Sequence, residues 1–175
     1  SGTGFTPLIL ACISSNLVVV RELVEVCGVD VHARTQIDDV VLGLPKHVTA
    51  LHSTTGLARQ HTAEIVELLI RSGADPNDAR NSGGLTPLMS TVYFCQPNGL
   101  RALLGSGKVN LEHGLTANES TALGLAAFLG TPQIVGLLLA AGADPTHINE
   151  HGGTKLHDAC KNPRATVDML EALCD

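Results

Sequence analysis

Four side chains that could bind a metal or carry out nucleophilic chemistry lie close together in the last fifth of the sequence. The segment "HINEHGGTKLHDAC" (147–160) contains His147, His151, His157 and Cys160. Imidazole nitrogen and thiolate sulfur are ligands that zinc prefers, and a thiol beside a histidine could serve a hydrolase. The spacing nevertheless matches no structural zinc pattern. A metal- or thiol-dependent hydrolase is therefore the weakest of the alternatives, and we predict no bound metal and no cofactor.

No other stretch of the chain carries an enzymatic motif. A phosphate-binding glycine loop, a nucleophile elbow and an HExxH helix are all absent from the 175 residues. We predict that the protein is not an enzyme and has no catalytic residues.

Charge and hydropathy exclude two classes of partner. Asp and Glu number 17 against 11 Lys and Arg, and the net charge of −6 disfavours a grip on nucleic acid or anionic lipid. The longest apolar run, residues 134–143, has about half the length of a membrane span. We therefore predict a protein or peptide partner, without nucleic-acid binding or membrane insertion, and we expect a monomer.

The cysteines indicate a reducing compartment. Cys12, Cys27, Cys95, Cys160 and Cys174 are odd in number and form no CxxC pair. Cysteines of this kind are typical of reduced, intracellular proteins, so we predict an intracellular and cytoplasmic location.

A Thr-x-Leu motif recurs five times along the chain. It begins at Thr6, Thr49, Thr86, Thr121 and Thr154, at intervals that shorten from 43 to 33 residues. A Thr side chain can cap a helix, and Pro after it suits the first helical position. Each motif is followed by apolar residues at helical spacing, and then by a second apolar segment such as "EIVELLI" (64–70). Each unit is thus predicted to form two helices, with Gly73 and Gly142 ending second helices in a left-handed conformation.

In these features the sequence resembles the ankyrin-repeat family over nearly its whole length. The segment "ESTALGLAAFLGTPQIVGLLLAAGADPT" (119–146) carries the family pattern almost unbroken. The resemblance implies an all-α solenoid of stacked helix-turn-helix units joined by hairpin loops. We place five repeats in one domain over 1–175, at about 2–34, 35–79, 80–114, 115–147 and 148–175.

The repeats depart from the family pattern at several places, among them the segment "TTGLARQHT" (54–62), which is about three residues longer than the usual turn between helices. An insertion near 35–48 contains the apolar run "VVLGLP" (40–45), which could contact a partner or merely decorate the loop. Pro97 replaces a usual glycine-histidine turn and is expected to end the first helix of its repeat. The fifth repeat lacks the closing Gly-Ala-Asp, and residues 18–26 are apolar nearly all round. We therefore expect a fragment of a longer protein, with another repeat before the first.

By the same resemblance, partners bind the concave side, on the hairpin tips and on exposed positions of each first helix. These positions lie one, three and four residues before each motif Thr, and seven and eight residues after it. They predict a partner-binding set of Phe5, Ile13, Lys46, Val48, Leu85, Tyr93, Phe94, Phe128, Leu129 and Lys161.

All four aromatic residues of the chain, three Phe and one Tyr, belong to this set. Aromatic side chains with few rotamers are typical of interface hot spots. Phe94 and Leu129 could instead pack between repeats. The leading hypothesis is a non-enzymatic module that binds a peptide or a folded protein in its concave groove. The alternative is a regulatory or substrate-recruiting arm of a larger enzyme, channel or ubiquitin-ligase subunit.

Overall fold

Helices make up all the regular secondary structure in the described part of the chain. The computed structural model describes residues 4–36, 38, 46–57, 59–81, 83–117, 119–129 and 131–174, and these residues contain no strand. The helices are α1 (Pro7–Ile13), α2 (Leu17–Arg21), α3 (Ala50–Gly56), α4 (Thr62–Arg71), α5 (Pro87–Tyr93), α6 (Pro97–Gly105), α7 (Ala122–Leu129), α8 (Pro132–Ala140), α9 (Lys155–Cys160) and α10 (Val167–Ala172). A π-helical turn, Glu22–Val26, continues α2. None of the described helices is long and apolar enough to cross a membrane.

The helices pack as two parallel rows. The odd-numbered helices form one row, the first-helix row, in which α1 contacts α3, α3 contacts α5, α5 contacts α7 and α7 contacts α9. α2, α4, α6, α8 and α10 contact one another in the same order and form the second-helix row. The two rows are joined inside each repeat, where the first helix packs on the second: α1 on α2, α3 on α4, α5 on α6 and α7 on α8. This arrangement is the stacked helix-turn-helix solenoid that the sequence predicts.

The Thr-x-Leu motifs begin the first helices as predicted. The hydroxyl oxygens of Thr6 and Thr86 each accept a hydrogen bond, 3.2 Å long, from the backbone N–H three residues later. Thr49 and Thr154 form capping boxes with the histidine three residues later, whose ring Nδ1 lies 2.9 and 2.8 Å from the Thr hydroxyl and accepts from the Thr backbone N–H. Each cap satisfies groups that a helix end would otherwise leave unpaired.

Two predictions about helix ends have different outcomes. Gly73 and Gly142 follow α4 and α8 with φ of 96° and 92°, which confirms the left-handed ends. Pro97, in contrast, does not end the first helix of its repeat. α5 ends at Tyr93, and Pro97 is the first residue of α6, where a missing N–H breaks no helical bond.

The core is aliphatic and unusually tight at α3. Its large, fully buried side chains are Leu, Ile and Met with one histidine, His52. Every residue of α3 from Ala50 to Gly56 is buried. Buried Gly99 of α6 lies against its backbone, so that an added Cβ would be only 2.3 Å from the carbonyl oxygen of Thr55. Small residues on both helices therefore allow this close approach.

His52 ties α3 to the loop before α5. Its Nε2 lies 3.0 Å from the carbonyl oxygen of Leu85, and since a carbonyl only accepts, Nε2 carries the proton. Nδ1 accepts hydrogen bonds from the backbone N–H and the hydroxyl of Thr49. Burial lowers the pKa of His52, against smaller opposing effects that include the bond to Leu85. The neutral ring thus acts as a buried connector between neighbouring repeats.

Candidate protein-binding surface

Tyr93 and Phe94 occupy adjacent positions but have different environments. Tyr93 is the last residue of α5 and its exposed fraction is 52%. Phe94 is half-buried, and its ring covers Gly56 of α3 so closely that an added Cβ there would be 2.8 Å from Phe94 Cδ2. The two rings meet edge to face, with centroids 5.2 Å apart. Phe94 therefore supports the ring that solvent reaches, and Tyr93 presents it.

Phe128 lies at the equivalent position of the next first helix, α7, and its exposed fraction is 43%. It lines a cavity of about 220 Å³ together with Leu115, Gly124 and Leu125. Gly124 stands one helical turn before Phe128 on α7, and an added Cβ there would lie 2.7 Å from the Ser120 hydroxyl oxygen, so Ser120 packs directly on this glycine. A cavity of this volume can accept one side chain of a bound segment.

Charged groups from α9 and the turn after it form the other side of the cavity. Asp158 and Lys161 line it, and their charged atoms are 3.9 Å apart. The Lys161 side chain is mostly exposed, whereas that of Asp158 is only 16% exposed. Beneath them Lys155 is buried and donates to the carbonyl oxygen of His147 at 2.9 Å. Burial lowers the pKa of Lys155, while nearby carboxylates including Asp158 act in the opposite direction.

Hydrogen bonds between neighbouring repeats hold the ends of the first helices in register. The Cys95 thiol, in the turn after α5, lies 3.8 Å from the carbonyl oxygen of Leu129 at the end of α7. The Asn162 amide, in the turn after α9, donates to the carbonyl oxygen of Ala127 at 3.0 Å. Leu129 itself is half-buried. These contacts fix the spacing between Tyr93, Phe128 and the turn that carries Lys161.

The remaining predicted residues do not extend this surface equally. Phe5, Ile13 and Leu85 are half-buried and pack against the core. Lys46 is exposed, and its backbone N–H donates to an Asp38 carboxylate oxygen at 2.8 Å.

Val48 must be removed from the candidate set. Its exposed fraction is 1%. Its N–H donates to the hydroxyl of Thr35, and its carbonyl oxygen accepts from the N–H of Thr35. Val48, the residue before the motif Thr49, therefore joins the two ends of the loop that follows Thr35, and its buried side chain is not accessible to a partner.

Two structural features were not foreseen from the sequence. The helix α3 is completely buried and presents no side chain of its own to a partner. The cavity beside Phe128 is also lined by Gly124 and Asp158, which lie outside the family positions considered. The sequence signal for this cavity was a glycine that stands four residues before an aromatic residue in the same helix. The apolar run 40–45, which could contact a partner or only decorate the loop, lies outside the described residues.

The three histidines near the C-terminus each have a different partner and do not converge with Cys160 on one site. His147 Nε2 lies 3.2 Å from the carbonyl oxygen of Glu119, and His157 Nδ1 bonds Thr154. His151 lies 3.7 Å from the Glu150 carboxylate, and Cys160 is exposed. In the described ranges, no group of three or more His, Cys, Asp or Glu residues could hold a metal ion.

Comparison with known protein families agrees with the stacked helix pairs of the structure. The family model described as "Ankyrin repeat" matches residues 3–36, 46–82 and 118–150, together well over half of the chain. The protein belongs to the ankyrin-repeat family. Residues 87–105, between two of the matched segments, also form a helix pair, α5 and α6. Members of this family are typically non-enzymatic interaction modules.

Two curated relatives are much longer than the region they share with this chain. The B-cell lymphoma 3 protein homolog of Mus musculus is 38% identical over 72 residues, which is 41% of this chain and 15% of the relative. The E3 ubiquitin-protein ligase KEG of Arabidopsis thaliana is 29% identical over 112 residues, which is 63% of this chain and 7% of the relative. The chain thus spans a small part of the relatives it matches.

Proposed function

We propose that this protein is a non-enzymatic recognition module that binds a peptide or a folded protein on its first-helix row. The binding surface, here called the aromatic surface, consists of Tyr93, Phe94, Phe128, Leu129 and Lys161. The observation that carries the proposal is the exposure of Tyr93 and Phe128 at equivalent positions of two neighbouring helices. Soluble proteins seldom leave large apolar groups together at the surface without a use.

The energetics of such a surface favour recognition. Tyr93 is held by its edge-to-face contact with Phe94, so little rotamer freedom is left to lose on binding. Aromatic anchors of this kind often contribute about 2 kcal/mol or more each to an interface. The cavity beside Phe128 supplies a recess for one anchoring side chain of the partner.

Charge selects among possible partners. The chain carries a net charge of −6, while in the cavity beside Phe128 the charges of Asp158 and Lys161 lie 3.9 Å apart and offset each other. A partner with Lys or Arg next to an apolar anchor would therefore associate faster and with better complementarity than an acidic one.

Affinity capture from native extract tests this function. We compare the wild type with a Tyr93→Ala/Phe128→Ala variant and with a matched Val18→Ala/Ile148→Ala control, whose targets are exposed apolar residues outside the aromatic surface. We expect a partner that the wild type and the control retain and that the aromatic variant loses. Equal recovery on all three proteins would contradict the proposed surface.

A second candidate is that the repeats recruit substrate for, or regulate, a larger enzyme. The match of 63% of this chain to a short part of a ubiquitin ligase favours it. The sequence of the full-length transcript distinguishes the candidates, because a catalytic domain on the same polypeptide supports the second and its absence supports a free-standing adaptor.

A further inference from the structure

The second-helix row carries two large grooves that the proposed function does not use. One lies between α4 and α6, has a volume of about 500 Å³, and is lined by Val66, Ile70 and Ala102 among others. The other lies between α6 and α8, has a volume of about 490 Å³, and is lined by Leu104 and Leu137 among others. Both volumes are in the range of ligand-binding clefts. None of the predicted partner-binding residues lies on this row.

The two grooves flank α6, and Arg101 lines both of them. Gly105 stands one helical turn after Arg101 and lines the α4–α6 groove. It is exposed, and an added Cβ would meet no atom within 4 Å. A larger side chain at this position would therefore occupy open space in the α4–α6 groove. We call the two grooves together the second-helix groove.

The charges around the second-helix groove oppose the charge of the whole protein. Of the residues that the structure describes, Arg71, Arg101 and Lys108 line it, against one lining carboxylate, Glu67. These are three of only 11 basic residues in a chain with a net charge of −6. Arg71 pairs with Glu25 at 3.2 Å, while Lys108 forms no side-chain ion pair within the described residues. The concentration of positive charge here is local and faces an apolar recess.

α8 increases the apolar character of the second-helix groove. Its sequence "PQIVGLLLA" contains no charged residue, and among the described residues that line the α6–α8 part only Arg101 is charged. An apolar cleft with a basic rim is complementary to apolar side chains flanked by carboxylates. Basic or neutral polar segments would leave either the rim charges or the recess unmatched.

We propose that the second-helix groove binds a protein segment in which Leu, Ile or Phe side chains alternate with Asp or Glu. The apolar side chains enter the two recesses, and the carboxylates meet Arg101 and Lys108. This site is separate from the aromatic surface, and the opposite charge preference implies a different partner. One chain would then hold two partners on its two helix rows.

Selection from a random library of 16-residue peptides displayed on phage, with the whole chain immobilised, tests the proposal. We expect enriched peptides to combine apolar residues with Asp or Glu. Their affinities, measured by fluorescence anisotropy, should weaken at least tenfold on Gly105→Leu, which fills the recess, and on Arg101→Glu, which reverses the rim charge. Circular dichroism should show that both variants remain folded.

Two controls separate this site from the aromatic surface. Gly136 of α8 is also exposed with open space around its Cβ position, but lines neither groove. Gly136→Leu should therefore leave peptide affinity unchanged, as should Tyr93→Ala/Phe128→Ala. Acidic peptides that depend on Gly105 but not on Tyr93 support this proposal even if the aromatic surface binds nothing.

Four results would overturn the proposal that the second-helix groove binds acidic apolar segments. No enrichment, enrichment of basic peptides only, or unchanged affinity for the Gly105→Leu variant would each show that the second-helix groove does not bind acidic apolar segments. Self-association in sedimentation velocity that Gly105→Leu abolishes would show instead that a second copy of the chain covers it.

Discussion

Gly99 allows α6 to pack directly on the backbone of α3, and its replacement by alanine should destabilise the fold. An added Cβ would lie 2.3 Å from the carbonyl oxygen of Thr55 and 3.1 to 3.2 Å from two further backbone atoms of that residue. Real Cβ contacts essentially never fall below 3.0 Å, so the two helices must separate by about 0.7 Å. Because every contacting atom belongs to the backbone, no side-chain rotation can relieve the clash.

The size of the effect follows from two opposing contributions. Alanine favours a helix over glycine by about 1 kcal/mol. Overpacking a tight interior costs typically about 1–3 kcal/mol, and a rigid backbone contact places Gly99→Ala at the upper end. We therefore expect a net loss of about 2 kcal/mol in the free energy of unfolding. For a protein of this size, this corresponds to a fall in Tm of roughly 4–8 °C.

The assay is thermal and urea unfolding followed by circular dichroism, with Gly105→Ala as the matched control. Gly105 lies in the same helix with open space around its Cβ position, so alanine there should raise stability by up to about 1 kcal/mol. If Gly99→Ala proves as stable as Gly105→Ala, the close packing of α3 against α6 is wrong.

Two further predictions concern buried titratable groups. Burial lowers the pKa of His52 from its usual 6.5, so the unfolded chain binds its proton more readily and stability should fall as the pH drops below 6.5. Urea midpoints between pH 7.5 and 5 should fall less steeply for His52→Gln, and equal slopes would contradict this. Burial raises the pKa of Cys12 to about 11, so iodoacetamide at pH 8 should label it only after unfolding. Mass spectrometry should show prompt native labelling of the exposed thiols Cys27, Cys160 and Cys174, and equally fast labelling of Cys12 would contradict its burial.

Local chemistry made the fold predictable from the sequence. Each Thr-x-Leu motif begins a first helix, because capping depends on residues only three apart. Gly73 and Gly142 end second helices for an equally local reason, since only glycine adopts a positive φ at little cost. The same logic failed at Pro97, because the chain can end one helix before a proline and begin the next one with it.

Contacts between repeats were beyond the reach of the sequence. Val48 occupies a position where the family tends to meet partners, but its hydrogen bonds with Thr35 depend on how the preceding loop folds back. Tyr93 and Phe94 are adjacent aromatic residues that the sequence cannot tell apart. Phe94 is the covered ring because it packs on Gly56 of another helix, α3. The grooves of the second-helix row likewise arise from residues of three separate helices.

Site-specific photo-crosslinking can show whether Tyr93 and Phe128 contact one partner. p-Benzoylphenylalanine replaces Tyr93, Phe128 or, as a control, Val18, which is also strongly exposed but lies on α2. After irradiation in native extract, we expect positions 93 and 128 to crosslink to the same protein and position 18 not to do so. Crosslinks from position 18 alone, or different products at positions 93 and 128, would contradict a single binding surface on the first-helix row.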